Sequence, residues 1–157
     1  MRRKKIGRKV ALAFLVVFAG IQFIRPQKNK DPEDPSTDIT HFVTVPDTVM
    51  HLLRVSCYDC HSNKTNYPWY AEVAPASWWL AYHIKEGKAE LNFSEFSQYS
   101  KRRMKSKLSA IANQVKEREM PLKSYMLIHA DAKLHSDQVQ IIIDWVESAK
   151  KELDQKP

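Results

Sequence analysis

The chain has only two cysteines, and both fall in one five-residue run, Cys57-Tyr58-Asp59-Cys60-His61. C-x-x-C-H is the pattern of covalent attachment of a c-type haem. Its spacing has a physical reason, because positions i, i+3 and i+4 share one face of a helix. Both thiols can then add to the two vinyl groups of one porphyrin while the imidazole of His61 turns to the iron as proximal ligand. Such attachment holds a cofactor without a closed pocket. Two other chemistries use parts of the same pattern. A thioredoxin-like dithiol needs a βαβ context, which the helical periodicity described below does not offer. A zinc site needs four ligands, and two of them would have to come from the scattered His41, His51, His83, His129 or His135.

An iron held by His61 has a sixth position. Met120 stands 59 residues further on, followed by Pro121 in a loop after a long helical stretch. A thioether there is a soft ligand that raises the reduction potential, whereas His83 or His129 would give a bis-histidine site of lower potential. The loop and the proline favour Met120. Met50, Met104 and Met126 read as fillers of core gaps, and His83, on an apolar helix face beside Trp79, as a core histidine. Aromatic residues close to the motif offer walls for a porphyrin: Tyr67, Pro68, Trp69 and Tyr70 at its edge, Trp78 and Trp79 over its face. The competing reading makes them ordinary core.

The elements that must position these residues read as helices separated by loops, so the predicted fold class is all-α. Val49, Leu52 and Leu53 recur at helical spacing from Asp47 towards the cysteines. A second helix begins at Pro75 and stops at Gly87. A third runs from about Ser97 to Arg118, with Met104, Leu108, Ile111, Ala112 and Val115 on one face. Its cationic run, Lys101, Arg102, Arg103, Lys105 and Lys107, turns outward as a solvated face or, on a sharper reading, as a docking patch for an acidic redox partner. Ser136 caps a last helix carrying Val139, Ile142, Trp145 and Val146.

The net charge of +7 comes from 25 basic and 18 acidic residues, but nine of the basic ones lie before residue 31 and none of the acidic ones do. From residue 31 onward sixteen basic residues face eighteen acidic ones, a net of −2. A nucleic-acid partner is therefore not expected. Six basic residues instead precede an uncharged apolar run, Val10 to Ile24, closed by Arg25-Pro26. That is the pattern of a signal sequence or signal anchor. Cleavage after Ala19 would leave a soluble exported protein; continued apolarity through Ile24 favours an uncleaved anchor. The expected organisation is a basic tip and transmembrane anchor over residues 1–25, a polar tether over 26–41, and a haem-binding domain over 42–153. It sits in the inner membrane with the haem domain in the periplasm, where c-type haem is attached.

The run from Cys57 through Tyr67-Pro68-Trp69-Tyr70, together with Pro75-Ala76-Ser77-Trp78-Trp79, Leu91-Asn92-Phe93-Ser94, Met120-Pro121-Leu122-Lys123-Ser124-Tyr125 and Asp144-Trp145, resembles the haem-binding domain family of cytochrome-c-like proteins. The resemblance covers about residues 42–150. It implies a cytochrome-c-like helical fold, one covalent haem c, attachment through Cys57 and Cys60, iron ligation by His61 and Met120, and a membrane-tethered or secreted place in bacteria with an outer membrane. It implies no defined reaction. The function expected is one-electron transfer between extracytoplasmic redox proteins, without catalysis. The alternatives are a haem-based gas sensor with a weakly held sixth position, a peroxidase-like enzyme, disfavoured because no distal His and Arg pair stands out, and a zinc module. Lys123 and Tyr125, beside the distal loop, are candidates to bond a haem propionate.

Overall fold

The computed structural model describes residues 2–156, with side chains from Ile6 onward, so the side chains of Arg2, Arg3, Lys4 and Lys5 in the basic tip lie outside the described residues. Among the described residues eight α-helices follow one another: α1 (Arg2–Ile21), α2 (Ile39–Phe42), α3 (Asp47–Ser56), α4 (Tyr58–His61), α5 (Ala76–Glu90), α6 (Lys101–Lys116), α7 (Lys123–Met126) and α8 (Ser136–Gln155). Short 3-10 segments lie at Trp69–Glu72, Phe93–Gln98 and Ala130–Ala132. Among the described residues the only β feature is an isolated bridge between Lys30 and Lys64. The fold is all-helical.

The helices start and stop for local reasons. Pro46 pre-sets the entry to α3 and Asp47 complements the dipole of its first turn. The Ser100 side chain caps α6 by accepting from the Arg103 N–H, so this helix begins at Lys101 rather than Ser97. Residues 93–98 form the separate 3-10 segment instead. Ser136 does not cap α8: His135 holds that position, its N–H donating to Gln138 Oε1 at 2.8 Å. The Ser136 hydroxyl instead meets the Arg118 guanidinium at 3.1 Å.

Two apolar clusters result. In the larger, Leu52 and Leu53 of α3, Leu108 and Ile111 of α6 and Ile142, Trp145 and Val146 of α8 pack around Phe93 and Phe96. The smaller joins Tyr70 and Ala71 to Leu80 and Ile84 of α5. Cys57 packs against the first and Cys60 against the second, so the C-x-x-C-H segment lies where the two meet.

Residues 26–41 depart from a free tether. Asn29 is buried, donating through Nδ2 to the Ser62 carbonyl and to Thr65 Oγ1, both at 2.9 Å. The Asp31 N–H donates to the Asn63 carbonyl at 2.9 Å, and Ile39 is wholly buried in the larger cluster. The stretch is a strap bound along the domain. Its polar residues satisfy loop backbone that water would otherwise have to serve.

The transmembrane helix expected over residues 1–25 is also corrected. Helix α1 ends at Ile21, and its uncharged part, from Val10, spans only about 18 Å against a hydrocarbon core of about 30 Å. Among the described residues no helix is long and apolar enough to cross a membrane. The apolar side chains of α1 are nevertheless exposed, Phe14 by 76% and Leu15 by 65%. Its end is fastened to the domain: Gln22 exchanges two hydrogen bonds with the Ala74 backbone, at 2.9 and 3.2 Å, and Trp78 Nε1 donates to the Ile24 carbonyl.

Candidate functional site

Cys57 ends α3, its N–H donating to the Leu53 carbonyl at 2.8 Å, and its carbonyl accepts from the N–H groups of both Cys60 and His61 at 3.1 and 3.0 Å. These bonds wind the motif into the single turn of α4. Helix α5 crosses that turn at Gly87. A Cβ on Gly87 would lie 2.7 Å from the Cys60 carbonyl oxygen and 3.1 Å from Cys60 Cβ. The glycine expected to stop α5 therefore lies inside the helix, which continues to Glu90, and its role is to let two backbones meet.

His61 Nδ1 is 3.0 Å from the Leu91 carbonyl, which can only accept. The bond therefore places the ring proton on Nδ1 and leaves the Nε2 lone pair free, the form in which an imidazole ligates a metal. Burial pushes the His61 pKa below its usual value, despite that hydrogen bond, and favours the same neutral ring. Burial also raises both thiols, Cys57 to about 12 and Cys60 to about 11, with the neighbouring Cys60 and Asp59 adding to the respective effects. The cysteines are free thiols rather than a disulfide.

A cleft of about 310 Å3 opens beside the motif, lined by Cys57, His61, Leu91, Phe93, Ile111, Val115, Lys107 and Met120. A second lobe of about 200 Å3 shares Cys57, His61 and Met120 and adds Cys60, His83, Leu122 and Tyr125. Met120 is brought there by a chain reversal after α6. Arg118 takes a left-handed φ of 60°, and the N–H groups of Glu119 and Met120 both return to the Gln114 carbonyl, at 3.0 and 3.2 Å. The Arg118 guanidinium holds the turn by donating to the Leu134 carbonyl at 2.6 Å. Met120 and His61 thus face one space.

The other histidines are differently placed. His83 Nδ1 is 2.8 Å from the Trp79 carbonyl one turn back, with its ring packed on Trp79, although the residue borders the second lobe. His129 Nε2 is bonded to the Tyr70 hydroxyl at 2.9 Å, and its ring stacks on Tyr125. Among the described residues no group of three or more His, Cys, Asp or Glu side chains converges to hold a metal, so the zinc alternative finds no ligand set.

The aromatic walls differ from expectation. Trp69 is 78% exposed, Tyr67 accepts the Asn29 N–H, and Trp78 is tied to Ile24; none of them lines the cleft. The aromatic ring that does line it is Phe93, stacked on Tyr58 at 4.8 Å between centroids and edge-on to His61. Its signal in the sequence was only a Leu-Asn-Phe-Ser block. Tyr125 reaches the second lobe while donating to Asp59 Oδ2 at 2.8 Å, and Lys123 is exposed.

The donor set is two thiols on one helical turn, a neutral imidazole with a free Nε2 and a thioether across a largely apolar cleft. It suits a flat, hydrophobic metal complex that can be held at its rim and at its metal, and such a set defines a helical prosthetic-group-binding domain. Residues 16–148 match the family described as Haem-binding domain, so the chain belongs to that family and carries a haem-binding domain. The match begins within α1 and takes in the strap. No curated protein and no solved structure matches the chain.

Proposed function

We propose that the protein is a monohaem c-type cytochrome with a cytochrome-c-like fold that carries one electron at a time between extracytoplasmic redox proteins. The observation that carries this reading is that His61 and Met120 border the same cleft as Cys57, with His61 Nδ1 committed to the Leu91 carbonyl. Cys57 and Cys60 hold the haem c through thioether bonds, His61 is the proximal ligand and Met120 the distal one. A bound haem supplies an iron that changes oxidation state by one electron. His61 and Met120 would both ligate the iron and leave no position open to a substrate, which favours carrying over catalysis. The basic and apolar N-terminal segment directs export, which places the haem domain in the periplasm.

The test is a reduced-minus-oxidised visible spectrum with a denaturing haem stain, on protein made with c-type maturation machinery. Haem that stays on the denatured wild-type chain, is lost from the Cys57→Ala, Cys60→Ala double variant, and shows low-spin bands indifferent to carbon monoxide is the expected result. Correctly exported protein without covalent haem would overturn the proposal, and a strong carbon monoxide response would replace the carrier with a gas-binding module.

A further inference from the structure

The five cations at the start of α6 separate by where their heads go. Lys101 donates to the Lys156 carbonyl, Lys105 to both oxygens of Asp154 at 2.7 and 2.9 Å, and Arg103 lies over the Tyr99 ring at 5.4 Å from its centroid. Lys107 turns the other way and lines the cleft beside His61 and Met120. Its side chain is 18% exposed, and its one ionic contact among the described residues is Glu90 Oε2 at 3.7 Å, on a carboxylate that borders the same cleft with its side chain 84% exposed.

That contact is too long for a good hydrogen bond and is made by a group that remains in water, so releasing it is nearly neutral in energy. A partly buried ammonium in a cleft that also presents Leu91, Phe93 and Ile111 is, by contrast, incompletely solvated until an anion completes it. The cleft is therefore asymmetric: apolar along most of its wall, with Glu90, Lys107 and Gln114 as a polar side on which the ammonium has no short partner among the described residues. A porphyrin is apolar over its faces and bears its negative charge on two propionates at one edge.

We propose that Lys107 binds a haem propionate, exchanging its loose contact with Glu90 for a charge-assisted hydrogen bond. The assignment rests on the haem reading of the cleft. It also gives Lys107 a part in the reduction potential, because a cation fixed near the iron favours the ferrous state.

The experiment uses matured holoprotein in five forms: wild type, Lys107→Gln, Lys107→Arg, Glu90→Gln and, as an exposed control, Arg102→Gln. Three readouts are taken: covalent haem content, resonance Raman bands of the propionates, and reduction potential. Lys107→Gln should keep its covalent haem, shift the propionate band and lower the reduced-to-oxidised ratio at fixed potential roughly tenfold, about 59 mV for one electron. Lys107→Arg should restore both readouts, Glu90→Gln should leave the propionate band in place, and Arg102→Gln should change neither. If Lys107→Gln carries haem with an unchanged band and potential, Lys107 does not bind the propionate, although the haem reading stands. Should Lys107→Gln fail to load haem, Lys107→Arg and Glu90→Gln decide: a wild-type band in Lys107→Arg with normal loading supports the contact, while equal loss of loading in Glu90→Gln makes the pair structural only and overturns it. Wild-type protein without covalent haem removes the parent reading and this assignment with it.

Discussion

The thiols of Cys57 and Cys60 sit in a setting that suppresses their reactivity in the apoprotein. With Cys60 raised from 9.0 to about 11, its thiolate fraction at pH 8 is about a hundredfold below that of a cysteine at the reference value, and Cys57, near 12, lies lower still. Alkylation of the haem-free protein should be slow at pH 8 and should accelerate up to about pH 11, as followed by mass spectrometry. The sign for stability follows from the same shift. Both groups are neutral below pH 9 in folded and unfolded chains alike; above it the unfolded chain loses protons that the folded one retains, so apoprotein stability should fall as pH rises from 9 towards 11. A melting temperature that rises across that range would contradict it. At Met120 the expected outcome is spectroscopic: Met120→Ala should turn a carbon-monoxide-insensitive haem into a sensitive one, and Met120→His should lower its potential.

Gly87 and Arg118 decide how well α4, α5 and the Met120 loop meet, and in each case two effects compete. Ala is the better helix former by about 1 kcal/mol, so Gly87→Ala would stabilise α5 in isolation. Here the added Cβ meets the Cys60 carbonyl at 2.7 Å, a backbone atom that cannot step aside. Overpacking of this kind costs about 1–3 kcal/mol and should dominate, giving lower stability and poorer haem loading. Arg118 holds a left-handed φ that costs a residue with a Cβ about 1–2 kcal/mol, while its guanidinium bonds Leu134 and Ser136 across the turn. Arg118→Ala retains the strain and loses the bonds, whereas Arg118→Gly loses both. Thermal melts should therefore rank wild type above Gly and Gly above Ala, the last with weakened methionine ligation in the haem spectrum.

Across the whole molecule the strap of residues 26–41 ties the end of α1 to the loop that leaves the C-x-x-C-H turn. Asn29 reaches Ser62 and Thr65, Thr65 Oγ1 donates to the Asp59 carbonyl at 2.6 Å, and Lys88 closes over Asn29 and Asp31. Asn29→Ala leaves buried partners unsatisfied and should destabilise by about 1–3 kcal/mol, a drop of roughly 3–10 °C in Tm by calorimetry. An unchanged Tm would show that the strap is a passive tether after all. The family match starting at residue 16 agrees with a domain that includes this strap.

Much of the protein could be read before any coordinates. Motif, helical class and family follow from information local in sequence: five consecutive residues, and apolar positions recurring every three or four along α3, α6 and α8. What the chain's order could not reveal depends on atoms distant in sequence. Gly87 reads as a stop until Cys60 is found against it, and residues 26–41 read as a tether because their prolines and charges look alike whether solvated or hydrogen-bonded to a domain. Trp69 and Trp78 look like cofactor walls from proximity alone, yet Phe93 takes that place because α4 packs on the segment that bears it. Lys107 is one lysine in a cationic run, and the rotation of α6 alone turns it inward. Periodicity specifies which face of each helix is buried, but which side chains end at the same cleft is set by how the helices cross, and that is a property of the packed core.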